Sequence, residues 1–163
     1  MSAGRPGQFR TGVRACLTVL AGALLANAGI AVAPAAPAIV SGNYNLNIQR
    51  INDFHTYIWA LGPTTDPACQ GQCIYVSQRN QPIAKAYDFT EQARLIDGRW
   101  TMAVDDPFGL RCGNVYYGPT IPTHDVYTWD PVTMAGSVES HFNTDCAGGP
   151  PGSYNFPFAL IRL

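Results

Sequence analysis

The chain reads as an all-β fold, an antiparallel meander of eight or nine short strands in which a closed barrel is preferred over a sandwich, stapled by two disulfides. Three observations predict it. Beyond residue 39, apolar residues recur at every second position, turn signals separate these runs, and no stretch offers a convincing helix. With 47% hydrophobic and 13% charged residues, against a usual charged share of about 25%, the chain is too apolar to be disordered. Its 163 residues allow one core.

The first element is an export signal. Residues 1–15 are polar and hold Arg5, Arg10 and Arg14 with no acid, and an apolar run follows from Cys16 to about Val32. Positive start, short apolar stretch and small-residue exit form the tripartite signal-peptide pattern. The run is Ala- and Gly-rich and broken by Asn27, which argues against a retained membrane anchor. Ala28 and Ala38 are the favoured cleavage points, and a cut after Ala33 would leave Pro34 at the new terminus. The chain therefore divides into a signal and Pro/Ala linker, 1–38, and a single secreted β domain, 39–163. Seven basic and eleven acidic residues remain in that domain, a net charge near −4 without a Lys/Arg cluster. Nucleic acid is excluded as a partner for want of a basic footprint.

Strand patterns follow in order. Tyr44, Leu46 and Ile48 share one face, as do Tyr57, Trp59 and Leu61, and Cys73 to Ser77 is a short strand. The stretch from Gln78 to Arg94 is the hardest to read, and Tyr87 to Arg94 could hold a turn or two of helix. Asp97-Gly98 then supplies the positive φ angles of a two-residue type I′ turn. This sets Ile96 opposite Arg99, Leu95 opposite Trp100 and Ala93 opposite Met102, with the last two pairs on an apolar face. Asp130-Pro131 marks a second hairpin, with Gly136 releasing the chain into the returning strand. Val138 and Phe142 face inward, opposed by Glu139 and His141. Tyr154, Phe156, Phe158 and Leu160 form the last apolar face, and Pro157 on its other side calls for an edge or a bulge.

Cys69, Cys73, Cys112 and Cys146 are an even set in an exported domain and read as two disulfides. Of three pairings, Cys69 with Cys73 and Cys112 with Cys146 is favoured, because Pro67 and Gly71 can turn the chain tightly. A zinc site is disfavoured by the C-x3-C spacing followed by two singletons.

The order of these residues resembles that of a group of small exported proteins of mycobacteria and related actinobacteria. The resemblance rests on Gly42-x-Tyr44, Trp59, Cys69, Cys73-x-x-Val76, Gly98-x-Trp100-Thr101-Met102, Cys112, Tyr127-Thr128-Trp129-Asp130-Pro131, Gly136 and Cys146, and covers about 120 residues. It implies a secreted or envelope-associated domain, in a group whose biochemical role is mostly unassigned. The stretch from Arg79 to Gln92 is longer than in the leaner members.

No constellation of reactive residues stands out. His55, His124 and His141 lack metal-binding spacing, Gly136-Ser137 and Gly152-Ser153 do not match a nucleophile elbow, and the glycines after Cys146 are interrupted by two prolines. Asp105, Asp106, Asp125, Asp130 and Glu139 could supply the carboxylate pair of a glycoside hydrolase. Asp106-Pro107 and Asp130-Pro131 also serve as turns, and Asp105 as a strand end. Among the aromatics, Trp129, Tyr116 and Tyr117 are the candidates to face a ligand. The expectation is a non-catalytic exported domain, without catalytic residues, metal or cofactor, that meets an envelope component, a small apolar ligand or a protein partner. A small secreted hydrolase using acidic residues, or a purely structural envelope protein, is the alternative. The mature form is not expected to span a membrane.

Overall fold

The computed structural model describes residues 41–163 apart from positions 51 and 83. The export signal and its cleavage sites lie outside the described residues. Eight strands follow one another: β1 (Gly42–Ile48), β2 (Thr56–Pro63), β3 (Cys73–Gln81), β4 (Phe89–Ile96), β5 (Arg99–Arg111), β6 (Thr120–Trp129), β7 (Ala135–Phe142) and β8 (Gly152–Arg162). Each pairs antiparallel with the next, and β8 returns to β1, so the meander closes into a barrel. A single 3-10 turn, Pro67–Cys69, interrupts the strands among the described residues. Both disulfides have the expected pairing, with Cα–Cα distances of 5.4 Å for Cys69–Cys73 and 5.3 Å for Cys112–Cys146, inside the normal range. None of the described helices is long and apolar enough to cross a membrane.

Alternation decides which side chains fill the barrel. Trp59 is the hub of the interior, edge-on to Trp129 at 5.6 Å and to Tyr127 at 5.2 Å, with Phe158 at 5.9 Å. Around it pack Tyr44, Leu46, Val76, Trp100, Met102 and Val138, all buried. The Asp97-Gly98 turn has φ of 49° and 78°, and it sets Leu95 opposite Trp100 and Ile96 opposite Arg99 as the sequence implies.

Five local readings are corrected. Residues Phe89 to Ile96 form β4, not helix, because the neighbouring ladders of β3 and β5 claim their backbone groups. Asp105 does not end a strand. Strand β5 continues to Arg111 through a bulge in which residues 107–109 oppose Pro122 alone, so Asp106-Pro107 bends a strand instead of turning the chain back. In the β6–β7 loop the positive φ falls on Met134, at 58°. Gly136 is needed for space, since a Cβ there would lie 2.2 Å from the Thr128 carbonyl oxygen. Pro157 lies within β8, where its carbonyl accepts from Gln49 just beyond the end of β1. The N–H it lacks would have pointed toward that same end of β1, past the last ladder pair Ile48 with Phe158, so the ladder loses little.

Candidate functional site

The two ends of the barrel differ. At one end the connections are the nine-residue loop 64–72 that holds the 3-10 turn, the two-residue Asp97-Gly98 turn and a short loop at 130–134, where Asp130 accepts from the N–H groups of Val132 and Thr133. Those bonds hold the Asp130 carboxyl below its ordinary range. At the other end the loops 49–55, 82–88, 112–119 and 143–151 come together. The Cys112–Cys146 bridge ties two of them, and Gln78 and Asn80 reach from inside the barrel to the Tyr87 carbonyl at 3.0 and 2.7 Å to hold a third.

The interior turns polar beneath this open end. On β6 the inward positions run Thr123, Asp125, Tyr127 and Trp129, and on β5 they run Trp100, Met102, Val104 and Asp106. Arg50, just beyond β1, folds into the opening and donates through Nη2 to Asp125 and to the Tyr127 hydroxyl. Its side chain is 7% exposed and that of Asp125 is fully buried. Burial works against the Arg50 charge, but the surrounding oxygens, chiefly those of Tyr127 and Asp125, hold it more firmly protonated than in water. Tyr57 donates to Asp53 at 2.9 Å, and burial followed by that carboxylate pushes its hydroxyl up. Burial likewise raises Tyr127, with Arg50 opposing. The Nε2–H of His55 donates to the Ala84 carbonyl at 2.9 Å. Asp106 accepts the Phe108 N–H across the bulge at 2.8 Å. Burial pushes its carboxyl up to about 6, opposed by that hydrogen bond and by Arg50. Several polar atoms here are buried without a partner among the described residues, including Asp125 Oδ1, Ser140 Oγ and Thr123 Oγ1.

Above the polar layer lies an aromatic ledge. Phe54 meets Tyr116 edge-on at 5.9 Å, and Tyr116 meets Tyr117 at 4.6 Å. Arg111 sits over the Phe54 and Tyr116 rings and donates to the Val115 and Tyr116 carbonyls, which fixes the loop. Tyr117 is 72% exposed. Two clefts open at this end of the barrel. One, of about 390 Å³, lies between the β5 bulge and the ends of β6 and β7. The other, of about 280 Å³, has Leu110, Ile121 and Phe156 on its walls, next to the Cys112–Cys146 bridge.

No family model, curated protein or solved structure matches the chain.

The aromatic candidates therefore separate. Tyr116 and Tyr117 sit together on the ledge at one end of β6, whereas Trp129 is fully buried against Trp59 at the other. The acidic candidates separate too: Asp106 and Asp125 point into the barrel, while Asp105, Asp130 and Glu139 lie toward solvent. His124 and His141 are cross-strand neighbours on the outer face, beside Asp105 and Glu139 respectively. No group of three or more His, Cys, Asp or Glu residues suited to a metal occurs among the described residues. Sequence reasoning did not single out Arg50, Phe54 or Arg111. A usable signal existed for Arg50: Asp125 is two residues from inward Tyr127, so it had to face the core and needed a cation there.

Proposed function

We propose that the protein is an exported, non-catalytic binding domain that docks on an envelope component through the open end of its barrel. The observation that carries this reading is the asymmetry of the two ends. Exposed aromatic rings, most of the partnerless buried polar atoms and the two clefts gather where loops 49–55, 82–88, 112–119 and 143–151 meet, and the opposite end is closed by two tight turns and the disulfide-clipped loop 64–72. Large exposed rings held by a disulfide and a cation–π contact form a preorganised contact surface, which lowers the ordering cost of binding. The barrel interior is filled by its own tryptophans, so a ligand is met at the mouth. A fully buried Asp125 engaged by Arg50 is poorly placed to activate water or a sugar, which favours binding over hydrolysis. Two intact disulfides suit an oxidising compartment.

The test is retention on isolated cell-envelope material, comparing the unmodified protein with Tyr117→Ala and Phe54→Ala. Both side chains are partly exposed, so the fold should survive, and retention should fall about tenfold, as for an interface anchor. Equal retention of all three would overturn the reading.

A further inference from the structure

We propose that the cleft between the β5 bulge and the β6–β7 hairpin is a carbohydrate subsite, in which one sugar ring of an envelope glycan sits on an apolar wall and hydrogen-bonds to the surrounding acceptors. This inference rests on the binding role proposed above and names the class of ligand.

The lining has the two kinds of surface that a sugar ring requires. Phe142, Pro107 and Pro122 provide apolar wall for its C–H face, while Asp105, Asp106 and Asn143 provide acceptors for its hydroxyls. No lysine or arginine lines the cleft, so a phosphate, sulfate or carboxylate would find no permanent counter-charge there, only the histidines at its rim. Its volume, about 390 Å³, lies within the roughly 300–1,000 Å³ of small-ligand sites.

The floor is built, not merely exposed surface. Asp106 is 7% exposed, and its bond to the Phe108 N–H occupies one carboxylate oxygen and leaves the other available. Beside it, Thr123 is 5% exposed and its hydroxyl has no partner among the described residues. Gly109 packs behind that floor: a Cβ there would lie 1.7 Å from Thr123 Oγ1, so only glycine lets the bulge close over that side chain and seal its hydroxyl. At the rim, His124 is held by Asp105 at 2.7 Å, and His141 stands opposite it across the ladder.

The experiment titrates maltotriose and tri-N-acetylchitotriose into isotope-labelled protein produced from the full chain in an exporting host. At least one of them should bind with a Kd of roughly millimolar order and shift the His124 and His141 ring resonances and the Asn143 amide. Asn143→Ala and Asp105→Ala alter exposed side chains, and each should weaken that binding about fivefold, the loss of one hydrogen bond. If neither sugar moves these resonances, or both variants bind as the parent does, the subsite is refuted. Tyr117-dependent retention on envelope material alongside silent sugar titrations would sink the carbohydrate assignment and leave the docking role standing. Sugar shifts in a protein that fails to adhere to the envelope would do the reverse.

Discussion

Arg50 and Asp125 are each taken almost wholly out of water, a costly step for any ion unless the partner is held in place. Replacing only one of them therefore leaves an uncompensated charge in the barrel. Arg50→Met should cost about 3–5 kcal/mol, and adding Asp125→Leu should restore much of that loss, because a well-packed apolar pair can match a buried ion pair. Denaturant titration of the single and double variants tests the coupling, and equal destabilisation by both would count against it. Asp106 behaves in the opposite sense. Its folded pKa of about 6 lies above its unfolded value of 3.8, so between these two pH values the native state holds the proton more tightly. The contribution of Asp106 to stability is then most favourable below pH 4, falls as pH rises toward 6, and carries the full penalty above it. A shift of this size corresponds to something on the order of 3 kcal/mol. Asp106→Asn keeps the acceptor for Phe108 and cannot ionise, so it should be more stable than the parent at pH 7.5 by about 1–3 kcal/mol, with the advantage vanishing near pH 4. An advantage independent of pH would show that the carboxyl titrates normally.

Two glycines govern hairpins for different physical reasons. At Gly98 the backbone needs φ of 78° and a Cβ would meet nothing within 4 Å, so only the conformational cost applies. Gly98→Val should cost roughly 1–3 kcal/mol, and Asp97→Asn should be close to neutral. At Gly136 the obstacle is contact with the Thr128 carbonyl and Trp129, so Gly136→Ala should cost roughly 2–4 kcal/mol despite its ordinary φ. Thermal unfolding distinguishes the two, since Gly98→Ala should be much milder than Gly136→Ala. The Asp97-Gly98 hairpin was legible because turn chemistry and alternation agreed on a single register. The bulge at 107–109 was not, because Asp-Pro signals a turn equally well, and only the long ladder with β6 reveals that the strand continues. Reading the alternation from Trp100 through Met102 and Val104 one step further would have placed Asp106 inside. The aromatic ledge was half legible: Tyr116 and Tyr117 are adjacent in sequence, but Phe54 and Arg111 reach them only through the closure of β8 onto β1 and the bend in β5.

The two disulfides sit at opposite ends of the barrel and close loops of very different length. Cys69–Cys73 spans four residues beside the 3-10 turn, and Cys112–Cys146 spans thirty-four and joins the β5–β6 and β7–β8 loops over the open mouth. In the chain-entropy model the longer bridge stabilises by about 4 kcal/mol and the shorter by about 2 kcal/mol. The barrel ladder closes without either bridge, so removing one should loosen the loops at its own end while the eight strands stay paired. Paired serine substitutions at Cys112 and Cys146 should thus lower stability about twice as much as the same change at Cys69 and Cys73. They should also speed amide exchange in loops 112–119 and 143–151, and with that weaken retention on envelope material even at temperatures where the barrel is intact. The Cys69/Cys73 variant should keep its retention, because its bridge lies at the far end from the ledge. Urea denaturation, hydrogen exchange and the retention assay separate these effects. Equal loss of retention in both variants would mean that the Cys112–Cys146 bridge acts through global stability alone, and that the mouth owes its shape to the barrel, not to the bridge across it.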